Sequence, residues 1–130
     1  MLVLSGNNME VPQSLRTWFV IHFIVDFIFG IPLLLFPAYT LSLFGFEAAE
    51  LLTARLVGAA LLGIGGVSFL VLNESAAVFR SLLKLKIIWS LSAIVAIGLT
   101  LVEGAPVLTW VVLWIFVVFS ALWMYYLRRV

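Results

Sequence analysis

The sequence predicts an all-α integral membrane protein: a four-helix bundle whose spans run up, down, up and down, with both termini on one side. Three observations carry this prediction. Of the 130 residues, 65% are hydrophobic and 10% charged, and the mean hydropathy of +1.29 lies far above that of soluble domains. Apolar runs near the roughly 20 residues that cross a hydrocarbon core occur four times and use up the chain, leaving no room for a soluble domain. The cationic residues gather at one set of span ends. The chain contains no cysteine, which excludes disulfides, thiolate catalysis and Cys-ligated metals.

Residues 1–13 read as a polar lead, too short and too polar after Leu4 for a signal peptide. Span one covers about residues 15–36, with Ser14 as its expected N-cap and Pro32 expected to kink its outer third. The connection Ala38 to Glu50 is partly apolar, and a short interfacial helix is expected there, with Tyr39, Phe44 and Phe46 at headgroup level.

Span two covers about 51–72 and carries small residues at helical spacing: Ala54 with Gly58, Ala59 with Gly63, then Gly65 and Gly66. Small residues let a neighbouring backbone approach, so Ala54, Gly58, Ala59, Gly63 and Gly66 are the expected helix-packing positions, against either this chain or a second copy. A polar loop, Asn73 to Arg80, leads to span three at about 81–102, where Lys84 and Lys86 are expected to snorkel to the headgroups. The turn Glu103-Gly104-Ala105-Pro106 makes a hairpin with span four, about 107–127. Span four is rich in aromatic residues. Trp110, Trp123, Tyr125 and Tyr126 suit aromatic belts, while Phe116, Phe119 and Trp123 could instead wall an apolar ligand pocket.

Arg16, Arg80, Lys84, Lys86, Arg128 and Arg129 fall on the side of the termini, and Glu47, Glu50, Glu103 and Arg55 on the other. The positive-inside rule then places both termini in the cytoplasm, in the plasma or inner membrane. So one-sided a bias argues against insertion in both orientations, a trait of small dual-topology exporters and fluoride channels.

His22 and Asp26 stand four residues apart in mid-span, on one helical face with Trp18 and Gly30. Side chains lean toward the helix N-terminus, so Asp26 leans toward His22. An ionisable pair within a span is a functional candidate, and it is also a candidate for gluing helices together. The catalytic candidates are therefore His22 and Asp26; as ligand-binding candidates they are joined by Trp18, Phe116, Phe119 and Trp123. Arg55 lies about 8 Å further along the axis than Asp26, at 1.5 Å per residue. Interfacial pairing of Arg55 with Glu47, Glu50 or Glu103 is the expectation instead. Two ligands do not make a metal site, and no phosphate loop, nucleophile triad or dinucleotide fingerprint is present, so no metal, cofactor or nucleic acid is expected.

Phe44 to Phe46 (FGF), then Ala54 to Gly66 (ARLVGAALLGIGG), a proline-ended first span and the Arg128-Arg129 tail resemble small four-span prokaryotic membrane proteins. That resemblance implies the four-helix layout and brings no catalytic residue with it. The His22 and Asp26 pair is similar in chemistry alone to four-span sterol isomerases, which use acidic and histidine residues in a lipid-accessible pocket. The leading functional expectation is a non-enzymatic membrane protein acting through helix packing, as a homo-oligomer or accessory subunit in contact with membrane lipid. The alternatives are a binder or enzyme for a lipid-like or isoprenoid molecule, and proton-coupled or ion transport with Asp26 as the titrating group.

Overall fold

The computed structural model describes residues 11–47 and 50–130; the lead expected over residues 1–13 lies, up to residue 10, outside them. Five helices follow one another: α1 Gln13–Leu35, α2 Pro37–Leu43, α3 Leu52–Leu70, α4 Ala76–Glu103 and α5 Thr109–Leu127. All but α2 are long and apolar enough to cross a membrane. In hydrocarbon no water can satisfy a backbone amide, so the apolar runs close their hydrogen bonds within the helix.

Several element ends differ from the sequence expectation for identifiable reasons. Pro12, not Ser14, stands at the N-cap of α1, and its carbonyl accepts from the Leu15 amide. Ser14 lies inside the helix and its Oγ accepts from the Tyr126 hydroxyl at 2.7 Å. Helix α4 begins at Ala76, five residues before the expected start, because Ala76 and Phe79 are buried in the core and extend the helix to reach it. Pro37 opens α2, where its missing N–H is no loss.

Helices α1 and α3 touch at the backbone. A Cβ on Gly58 would stand 2.8 Å from the Gly30 carbonyl oxygen, and one on Gly65 would stand 2.6 Å from Asp26 Cβ. Larger side chains cannot enter either place. Gly63, by contrast, meets nothing within 4 Å, and Ala59 is exposed. The buried stripe of α3 is Ala54, Gly58, Leu61, Gly65 and Ser68, spaced four and three residues apart. Ala59 stands one residue past Gly58, about 100° further round the helix, which removes it from this contact. Gly66, just past Gly65, only grazes Phe27 at 4.0 Å. Of the expected packing positions, Gly58 meets α1 and Ala54 is buried, while Ala59 and Gly63 face outward.

The pair α4 and α5 is joined by a turn in which Gly104 holds a φ of +104°, a left-handed conformation that glycine alone adopts cheaply. The two helix pairs meet at one end through large side chains. Leu15 and Phe19 of α1, Phe79 and Leu83 of α4, and Trp123 and Tyr126 of α5 form the core there. Phe19 packs on Phe79 at 4.6 Å between ring centroids and edge-on against Trp123 at 5.8 Å. Arg16 donates to the Leu72 carbonyl and Arg80 to the Val130 carbonyl at 3.2 Å, tying the same end together.

Candidate functional site

Where the aromatic core ends, three ionisable side chains form a chain. The Lys86 Nζ lies 2.6 Å from His22 Nδ1, and His22 Nε2 lies 3.3 Å from Asp26 Oδ1. Lys86 is 1% exposed, His22 5% and Asp26 4%. Helix α1 supplies His22 and Asp26 on successive turns, and α4 brings Lys86 in from across the bundle.

The burial of Lys86 overturns the expectation that it snorkels to the headgroups. It shares a buried stripe with Phe79, Leu83 and Ser90, spaced four, three and four residues apart, while Lys84 faces outward. That stripe was legible in the sequence, but only once the face of α4 turned to the core is known.

Donor and acceptor counting orders the chain. An ammonium offers three N–H groups and no acceptor. One goes to His22 Nδ1. A second goes to Ser68 Oγ, whose own proton is spent on the Ile64 carbonyl at 2.8 Å. The remaining N–H faces aromatic rings, with Nζ 4.6 Å from the centroid of Phe19 and 4.9 Å from that of Trp123. With Lys86 an ammonium, Nδ1 must accept, which leaves the ring proton on Nε2, 3.3 Å from Asp26 Oδ1. A shift of one proton from Lys86 to Nδ1 and another from Nε2 to Asp26 would discharge both ends without moving net charge. The chain is therefore chemically equipped to hold or pass a proton. Asp26 Oδ2 has no hydrogen-bond partner and rests 3.2 Å from the place a Gly65 Cβ would take.

Beyond His22 and Asp26 the two helix pairs part around a cavity of about 550 Å³. His22 and Asp26 stand at one end of it, Phe116, Phe119 and Trp123 form much of one wall, and Leu41, Phe44 and Phe46 lie on it from the α2 side. From His22 to Leu33 the cavity follows α1 for eleven residues, about 16 Å at 1.5 Å per residue. A second hollow of about 360 Å³ shares Leu33, Leu41, Phe46 and Val57 with it and carries Glu47 and Glu50.

The structure brings five of the six ligand-binding candidates to this cavity: His22, Asp26, Phe116, Phe119 and Trp123. Trp18 is not among them. One turn before His22, it falls level with the closed core and meets Phe119 edge-on at 6.5 Å. Trp110 and Trp114 are 51% and 60% exposed and face outward. Arg55 does not pair with the acids: its Nε donates to the Leu34 carbonyl at 3.2 Å, near the C-terminus of α1. Among the described residues, His22 with Asp26 is the pairing of a carboxylate with a basic side chain within 4.0 Å. Glu50 instead accepts from the Thr53 hydroxyl and from the amides of Thr53 and Leu52, which holds its carboxyl below the ordinary 4.5 and caps the start of α3. Among the described residues no three His, Asp or Glu side chains converge as metal ligands.

No known family model, no curated protein and no solved structure matches this chain.

Proposed function

We propose that this protein binds one elongated apolar molecule inside the membrane, with the polar end of that molecule against His22 and Asp26. The observation that carries the reading is the cavity itself. Its volume of about 550 Å³ lies within the range of small-molecule sites, its walls are apolar and aromatic, and its two ionisable lining residues stand together at one end. An imidazole and a carboxyl so placed can also give or take a proton, so acid–base chemistry on the occupant is open to the same site.

In this reading the four long helices alternate up and down across the plasma or inner membrane, with both termini cytoplasmic. Support comes from the charges. Arg16, Arg80, Lys84, Arg128 and Arg129 remain at the closed end after buried Lys86 is set aside, against Glu47, Glu50, Glu103 and Arg55 at the other. The closed end also argues against proton or ion transport, because Leu15, Phe19, Phe79, Leu83 and Trp123 fill the space between Lys86 and that surface.

The test is extraction directly from the membrane into lipid nanodiscs, followed by mass spectrometry of what remains bound. Wild-type protein should retain an apolar species in fixed proportion, and Ala93→Phe, which fills the cavity from α4, should lose it. Equal recovery from both would overturn the proposal.

A second reading, assembly into a homo-oligomer or with a larger membrane complex, is favoured by one observation: Ala59 and Gly63 present a small-residue face to the outside of α3. Gly63→Leu should then leave the fold intact and shift the subunit number in nanodiscs. An unchanged subunit number would remove the reading.

A further inference from the structure

The chemistry at the cavity's end points to a particular kind of head group. Of the ionisable side chains, His22 and Asp26 line the cavity and Lys86 does not. Lys86 stands behind His22 with its N–H groups committed to His22, Ser68 and the rings of Phe19 and Trp123. No cation is thus free to receive an anionic head, which would have to lie beside the Asp26 carboxyl. A cationic head would duplicate a charge that Lys86 already supplies to the pair.

The hydroxyls on the wall narrow the choice further. Thr40 spends its proton on the Phe36 carbonyl at 2.8 Å, and Ser90 spends its proton on the Ile87 carbonyl at 3.1 Å. Each keeps lone pairs and has no proton left to give. Asp26 likewise presents acceptor oxygen. Trp89 Nε1 lines the same cavity as a buried donor without a partner, and the Ser92 hydroxyl lines it as well. The polar groups around the cavity therefore want a head that both gives and takes a hydrogen bond.

We infer that the cavity selects a neutral head that both donates and accepts a hydrogen bond, on an elongated apolar body, a long-chain or polyene alcohol or phenol, and discriminates against the corresponding carboxylate, which has no proton to give to Asp26. This inference rests on the binding function proposed above and adds the identity of the head group to it.

Retinol and retinoic acid test it, since they share one polyene and differ at the head. Trp89 and Trp123 line the cavity, so energy transfer from tryptophan to the polyene reports occupancy. The protein is titrated in nanodiscs with each probe, and the signal that survives in Ala93→Phe and Ala96→Phe is subtracted as lipid partitioning. Retinol should saturate the cavity-dependent signal at a concentration lower by about tenfold or more than retinoate at neutral pH. Asp26→Asn, whose amide can donate to a carboxylate, should narrow that ratio to about twofold by improving retinoate binding. Equal or tighter binding of retinoate, or a ratio unchanged by Asp26→Asn, would overturn the head-group inference and leave the binding function standing. Absence of any cavity-dependent signal from either probe would overturn both.

Discussion

The two ends of this helix bundle are built from the same four long helices and packed in opposite ways. At the closed end, α1, α4 and α5 interlock through Leu15, Phe19, Phe79, Leu83 and Trp123, all essentially inaccessible. At the other end α4 lines the space with the short side chains of Ser90, Ser92, Ala93 and Ala96 beside Trp89 and Ile97, and a cavity of about 550 Å³ remains. Meanwhile α1 and α3 stay in backbone contact at Gly30 and Gly58, beyond the level where the other pair has moved away. The hollow thus coincides with the stretch of α4 where small residues replace Phe79 and Leu83 on the inward face. The Lys86, His22 and Asp26 chain sits at the boundary, with its lysine sealed in the solid part and its acid facing the hollow.

The largest break in that contrast should come from the boundary itself. Lys86→Met removes the donor to His22 and Ser68 and leaves Asp26 buried without its neutralising partner. A loss of about 3–5 kcal/mol is expected, as for other buried pairs stripped of one member. Thermal unfolding in nanodiscs measures it, and the double variant Lys86→Met with Asp26→Leu should recover most of the loss. No recovery would mean that the lysine stem, not its charge, matters at this position.

Truncating matched aromatics sharpens the comparison of the two ends. Phe19→Ala in the closed core should cost about 3 kcal/mol, whereas Phe116→Ala, which only enlarges an existing hollow, should cost about 1 kcal/mol or less. Similar losses would mean the hollow is packed in the folded protein. The smallest effect lies at the rim. Glu50 holds the first turn of α3 through Thr53 and Leu52, and its lowered carboxyl pKa means that this support is full above the ordinary 4.5 and fades as pH falls through the lowered value. Protection of the Leu52 and Thr53 amides, taken as exchange relative to the intrinsic rate at each pH, should fall on acidification, and Glu50→Gln should remove most of that pH dependence.

What the sequence made legible follows from local periodicity. Four apolar runs and one tight turn give the long helices, and an i,i+4 spacing brings His22 to Asp26 whatever surrounds them. Gly58 could be read because small residues in a span mark close approach, but choosing Gly65 over Gly63 required knowing which side of α3 meets α1. Lys86 was illegible for the same reason on a larger scale. Its surroundings come from α1, α3 and α5, helices that reach it only through the tertiary fold, and by position alone it resembles Lys84. The cavity was least legible, since a void is set by what neighbouring helices fail to fill. Trp18 shows the converse: it shares the stripe of His22 and Asp26, yet one helical turn moves it from the hollow to the solid end.

The most direct test of the account is the state of His22, and the sequence assists because this is the only histidine in the chain. Nitrogen-15 NMR of histidine-labelled protein in lipid bilayers would read both ring nitrogens. A chain running from Lys86 through His22 to Asp26 predicts a single Nε2–H tautomer with a hydrogen-bonded Nδ1, lost in Lys86→Met and shifted when retinol fills the adjoining cavity. A proton found on Nδ1, or an imidazole averaging between tautomers and indifferent both to Lys86→Met and to retinol, would contradict it.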